Sequence, residues 1–136
     1  MSSVLAARAL TGYADADPSG NTCVTIAMSA IRVLEYLDAS GRSAFRRWFD
    51  GLDAAAAARV GAYLYRLEQG NFSRVEGAGG GVFELRVDFG PGYRVYFGND
   101  GDTVAVLLGG SAKKGQSAAI ARAQEAWQDY KRRKRA

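Results

Sequence analysis

At 136 residues and 48% hydrophobic content the chain holds one domain with a core of its own, no apolar run approaches the ~18 residues of a membrane span, and a single cysteine, Cys23, suits a reducing cytoplasm. The absence of histidine removes imidazole zinc sites and Ser-His-Asp or Cys-His catalysis, so any chemistry falls to Arg, Lys, Tyr, Glu or Asp, with no metal or cofactor expected. The net charge of +4 is lopsided: residues 111–136 carry eight basic and two acidic side chains, which points either to an anionic partner such as nucleic acid or to a solvated tail.

Residues 1–27 are small and polar, contain the turn signal Pro18-Ser19-Gly20-Asn21 and show no period. They read as a disordered or loosely attached extension. Asp15 and Asp17 interrupt any apolar stretch, which argues against a signal peptide, and Met28 stands ready as an alternative start. The domain is expected over residues 28–130, followed by a basic tail at 131–136.

Ile31, Val33 and Glu35-Tyr36 make a short first strand. Ser43 precedes Phe45, Trp48, Phe49 and Leu52 at helical spacing, predicting a helix that ends near Asp50-Gly51. Asp53 is a good N-cap for a second helix, whose stripe is Ala56, Val60, Leu64 and Leu67 and which Gly70 ends. A flexible glycine-rich loop is expected over residues 77–81. Beyond it the period changes to two. Phe83, Leu85, Val87 and Phe89 alternate with Glu84, Arg86 and Asp88, and Tyr93, Val95 and Phe97 follow the Gly90-Pro91-Gly92 turn. Residues 103–108 are apolar enough to be a central strand covered on both faces. A Gly/Lys loop then leads to a last helix with Ile120, Ala123, Trp127 and Tyr130 on one side. The order β-α-α-β-β-β-α predicts an α+β domain, a mainly antiparallel sheet with helices on one side.

The hairpin allows one inference about chemistry. Its inward residues are all odd-numbered, so paired positions must sum to an even number. Arg86 and Arg94 therefore share the outward face, opposite one another or one diagonal step apart, together with Glu84, Asp88 and Tyr96. That face is either a solvated surface of ion pairs or an anion clamp. Lys113 and Lys114 follow the next strand. Gly110 and Gly115 have the spacing of a phosphate-binding P-loop, but Gln116 stands where that motif requires lysine, so a nucleoside-triphosphate site is rejected.

Five colinear stretches then carry a resemblance: EYLDASGRSAFRRWFDGLD from Glu35, RLEQGNF from Arg66, GVFELRVDFGPGYRVYFGNDGDT from Gly81, LLGGSAKKGQ from Leu107 and WQDYKRRK from Trp127. Residues 31–135 resemble the RelE/ParE superfamily of toxins, in its phage-derived killer-protein (HigB-like) branch. The resemblance implies a RelE-like fold, with two helices and a C-terminal segment on one face of a twisted sheet and a cationic concave face opposite. It implies the toxin of a type II toxin–antitoxin system: a metal-independent messenger-RNA endoribonuclease working with the ribosome, restrained by a helix-turn-helix antitoxin. Arg86 and Arg94 then clamp the scissile phosphate, and Lys113 or Lys114 acts as base, with Glu84 the alternative. Tyr96, Lys131, Arg132, Arg133 and Lys134 contact RNA. Two departures bear on potency: Gly115 stands where relatives carry a third base, and Ala119 where they carry an acid. The competing readings are a ParE-like inhibitor of DNA gyrase that cleaves no RNA, and an attenuated toxin kept with its antitoxin.

Overall fold

The computed structural model describes residues 31–135 and, as backbone, residues 7–9. The elements are β1 (Ala7–Ala9), β2 (Arg32–Tyr36), α1 (Ala44–Asp50), α2 (Ala54–Glu68), β3 (Val75–Gly79), β4 (Val82–Val87), β5 (Tyr93–Asn99), β6 (Val104–Ala112) and α3 (Gln116–Arg135). They form an α+β domain around one mixed sheet of order β1-β2-β6-β5-β4-β3. Neighbouring strands are antiparallel except β2 and β6, which run parallel. Ala7–Ala9 lie along β2, with Ala7 opposite Tyr36. The rest of the 1–27 extension, Cys23 and Met28 lie outside the described residues, and so does the expectation of loose attachment.

Local chemistry accounts for the helical hairpin. The Ser43 hydroxyl accepts from the Arg46 amide at 3.0 Å, and the Asp53 carboxylate accepts from the Ala56 amide at 2.8 Å. Each satisfies one of the orphan donors at a helix start. Ala56, Val60, Leu64 and Leu67 are buried, as their spacing predicts. With Phe45, the last three pack against Val33, Leu85, Val87, Val95, Phe97, Ala105 and Leu107. This is the odd-numbered face of the hairpin and the larger of two cores.

Three expectations need correction. The glycine-rich stretch at 77–81 is not one flexible loop: Val75–Gly79 forms edge strand β3, paired to β4 with a bulge between Gly77 and Gly79, and Gly80-Gly81 make a tight turn. Its sequence, Val-Glu-Gly-Ala-Gly, carries little strand propensity, and pairing with β4, helped by Gln124 donating to the Gly79 carbonyl at 3.1 Å, holds it extended. The second correction concerns the layers. The helices do not share one side, because α3 packs on the opposite face from α1 and α2. Ala119, Ala123, Trp127 and Tyr130 meet Tyr36, Val82, Tyr96, Val106 and Leu108 there, forming a second core. Gly98 makes room for this contact, since a Cβ on it would lie 2.4 Å from the Trp127 ring. Gly110 does the same for Trp48 on the other face, where a Cβ would come within 2.2 Å of that ring. Strand β6 is covered on both faces, with Ala105, Val106 and Leu107 fully buried.

The basic run expected as a tail is the last part of α3, helical through Arg135. Arg133 donates to the Leu37 carbonyl at 2.6 Å and the Tyr36 hydroxyl at 3.1 Å while pairing with Asp129 at 2.6 Å. Tyr130 donates to Asp100 at 2.7 Å, and Lys134 pairs with the same carboxylate. These clamps tie the end of α3 to the C-terminal ends of β2 and β5.

The clamps give stability a pH dependence at both extremes. Burial, and then the hydrogen bond to Asp129, push the Tyr36 hydroxyl up to about 12. The bond from Tyr36 in turn holds the Asp129 carboxyl below its ordinary range, helped by Arg133. Burial works to raise Asp100, but bonds from Lys134 and Tyr130 outweigh it and bring that group down too. Carboxyls lowered by folding stabilise above their unfolded value of about 4, and that contribution is lost as pH falls further. The raised Tyr36 contributes stability that is whole below its unfolded value of about 10 and is lost as pH climbs through about 12. The expected thermal midpoint is level from roughly pH 5 to 9 and falls on either side. Asp129→Asn should soften the acid limb; an identical acid limb in that variant would remove Asp129 from the account.

Candidate nucleic-acid interface

Strands β4 and β5 are joined through Gly90-Pro91-Gly92, with the Gly92 amide bonded to the Phe89 carbonyl at 2.9 Å. Glycine is required here: Gly90 and Gly92 have φ of 56° and 87°. The turn sets a register in which Arg86 lies directly opposite Arg94 and Glu84 opposite Tyr96. On the far side of β5, Arg94 faces Ser111 of β6. Arg86, Arg94 and Ser111 thus form a row across three strands, on the sheet face that α3 partly covers. The Lys113 amide bonds to the Gly92 carbonyl at 2.9 Å, which brings the start of the lysine loop beside the same turn. Lys113 and Lys114 are both exposed.

The two arginines are incompletely partnered. Arg94 is 12% exposed, and its Nε lies 3.4 Å from Glu84 Oε2, close enough for an ion pair. That Nε nevertheless makes no hydrogen bond, and the buried Nε of Arg86 makes none either. Among the described residues the Arg86 guanidinium pairs with Glu76 alone, at 3.8 Å. A buried donor left unmet costs about 1–3 kcal/mol.

Glu84 is placed differently from a general base. It is 7% exposed, facing Arg94 through Oε2 and accepting from Gln116 Nε2 through Oε1 at 2.9 Å. A carboxylate held between a guanidinium and an amide has no free oxygen aimed at solvent. Tyr96 is fully buried beneath α3, with its hydroxyl 3.0 Å from Ser111 Oγ. Burial raises that hydroxyl, and so does the negative charge of Glu84, while Ser111, Arg94 and Arg122 oppose them. Its ring is closed to a stacking base.

The basic run lies elsewhere. At 1.5 Å per residue, Lys131 is roughly 22 Å along α3 from Gln116. Lys131 sits over the Trp127 ring, Arg132 pairs with Asp129, and Arg133 and Lys134 are the clamps already described. The structure therefore brings Arg86, Arg94, Glu84 and the lysine loop to one end of the sheet and leaves residues 131–134 at the other end of the helix.

Gln116 and Ser111 join this site without having been candidates. Gln116 opens α3 just after Gly115, so it points back at the sheet; a polar residue in the first turn of a helix that docks there is the signal available. Gly115 itself has φ +98°, a left-handed turn that a basic side chain would strain. Ala119 is buried in the second core, where an acid would lose its solvation. Both departures thus have structural reasons. Among the described residues no group of three or more Cys, Asp and Glu side chains converges as a metal-ligand set, and no helix is long and apolar enough to cross a membrane.

Opposed arginines and nearby exposed lysines thus set positive charge at one end of the sheet of this α+β domain. Comparison with known proteins gives it a family. Residues 47–131, from α1 to near the end of α3, match the family described as phage derived protein Gp49-like (DUF891). The chain belongs to that family, which is associated with toxin–antitoxin systems and related to RelE-like toxins. It is similar to an uncharacterized protein of Haemophilus influenzae strain Rd, 38% identical over 81 residues that span 59% of this chain and 82% of the relative. No solved structure matches.

Proposed function

We propose that this protein is the toxin of a toxin–antitoxin pair and cleaves messenger RNA on the ribosome. The observation that carries the reading is the pair of opposed arginines, whose buried Nε donors make no hydrogen bond among the described residues. Guanidinium binds phosphate bidentately, and two such groups on adjacent strands suit a phosphate whose charge grows in the transition state. The HigB-like resemblance supplies the reaction. A ribose 2′-oxygen attacks the adjacent phosphorus, the bond to the 5′-oxygen breaks, and a cyclic phosphate and a 5′-hydroxyl result. The 2′-proton passes to a base, and a proton is delivered to the leaving oxygen.

Lys113 and Lys114, exposed beside the arginine row, are the candidates for that proton traffic. Glu84, buried and held by the Gln116 hydrogen bond and the Arg94 ion pair, suits the role less well. The nucleophile belongs to the substrate, so the protein's part is orientation and charge stabilisation. The partner is a cognate helix-turn-helix antitoxin that covers the arginine row, and the setting is the cytoplasm, where messenger and ribosome meet.

In a translation extract the protein should cut messenger at discrete positions, only while it is being translated, and should leave gyrase supercoiling unchanged. Gyrase inhibition with intact messenger would replace this reading with the ParE-like one.

A further inference from the structure

We infer that Glu84 and Gln116 are positioning residues, through which the first turn of the C-terminal helix sets the pose of Arg94. The inference rests on the nuclease reading for its kinetic consequence and on geometry alone for the linkage. Gln116 Nε2 fixes Glu84 Oε1 at 2.9 Å, and the other carboxylate oxygen lies 3.4 Å from Arg94 Nε. Glu84 and Arg94 are 7% and 12% exposed, so neither side chain has room to wander. Apart from this pair, Arg94 makes one long contact, from Nη1 to the Tyr93 carbonyl at 3.4 Å. The guanidinium is aimed by one carboxylate, and that carboxylate is aimed by one amide.

The pairing also restrains charge. Glu84 partly neutralises Arg94 in the resting protein and so weakens its pull on any phosphate. Holding the guanidinium in a fixed pose lowers affinity for RNA and raises the rate of the chemical step. A residue serving only the fold would move binding and rate together, through the folded fraction.

The test uses the full chain as wild type, Glu84→Gln and Gln116→Ala. Binding is measured with a 2′-O-methyl RNA oligonucleotide, which lacks the nucleophile, across a salt series. Rates come from messenger cleavage in a translation extract. Glu84→Gln should bind the oligonucleotide several-fold more tightly at low salt, with a slope of log K against log salt steeper by about 0.7, one extra phosphate contact on a single strand. Its cleavage rate should fall at least ~10-fold. Gln116→Ala, the gentler change, should shift both quantities the same way by a smaller factor, and the double variant should resemble Glu84→Gln alone. Exchange of the Arg94 Nε proton, followed by NMR without RNA, should quicken in both variants.

Unchanged binding, rate and proton exchange in Glu84→Gln would overturn the linkage, as would parallel losses of binding and rate that track a lower thermal midpoint. A wild type that cuts no RNA, with proton exchange still quickened in both variants, removes the nuclease reading and upholds the linkage. A wild type that cuts RNA, with both variants indistinguishable from it, does the reverse.

Discussion

Arg94→Ala should silence messenger cleavage, lowering the rate about 10²–10³-fold, the usual cost of removing one donor to a developing charge, or about 2.7–4 kcal/mol. The side chain sits opposite Arg86 and beside the lysine loop, and its Nε has no hydrogen bond to give up. Growth arrest on induction should disappear with it. The substitution also leaves Glu84 buried without its cation, so the fold loses some stability even though Gln116 still holds one carboxylate oxygen. Arg94→Lys separates the two effects. It keeps the charge and most of the fold, but replaces a planar fork with a point charge, so activity should remain well below wild type. Arg86→Ala should approach Arg94→Ala in severity and cost less stability, since Arg86 is the more exposed and its partner Glu76 is distant. Cleavage by Arg94→Ala at the wild-type rate would move the site off this face.

The second large effect is on stability. Ending the chain after Tyr130 removes five basic residues, of which Arg133 and Lys134 hold α3 to the sheet. Arg133 is the stronger clamp, because it joins Asp129, the Tyr36 hydroxyl and the Leu37 carbonyl at once. Exposed pairs contribute little individually, and a partly buried, multiply bonded arginine contributes more. A loss on the order of 2 kcal/mol is expected, or about 10 °C in thermal midpoint for a domain this size. Arg133→Gln alone should reproduce most of that shift, whereas Arg135→Ala should change the midpoint by less than about 2 °C. Equal effects from the two substitutions would mean that the run acts through total charge, not through the clamp. At a temperature where the truncated protein stays folded, its chemical step should be near wild type, with any loss of RNA binding disappearing at high salt.

Much of this site was legible in the residues. The alternation from Phe83 to Phe97 and an odd-length turn place Arg86 and Arg94 on one face, and the register makes them direct partners. Ser43 and Asp53 mark both helix starts because their side chains satisfy specific backbone donors. What periodicity could not supply was the cover on the even-numbered face. Glu84, Arg86 and Arg94 look like a solvated surface, while the buried partners of α3, Tyr36, Val82, Tyr96, Val106 and Leu108, are scattered over four strands. The clue lay in β6. A strand with Ala105 through Leu108 all apolar needs a layer on each side, and the helical hairpin provides only one. Gly98 was the other clue, a bare position in a strand where an aromatic ring lands. Strand β3 was hidden for the opposite reason: its residues favour a loop, and tertiary pairing with β4 holds it extended.

The most direct test of the arginine face is to map messenger cleavage in a translation extract for three proteins, at a temperature where all are folded. These are wild type, Arg94→Ala and the chain ending at Tyr130. Cuts by wild type and by the shortened chain at the same positions, with none by Arg94→Ala, are the predicted result. Normal cutting by Arg94→Ala alongside a silent shortened chain would contradict it and transfer the function to the basic end of α3.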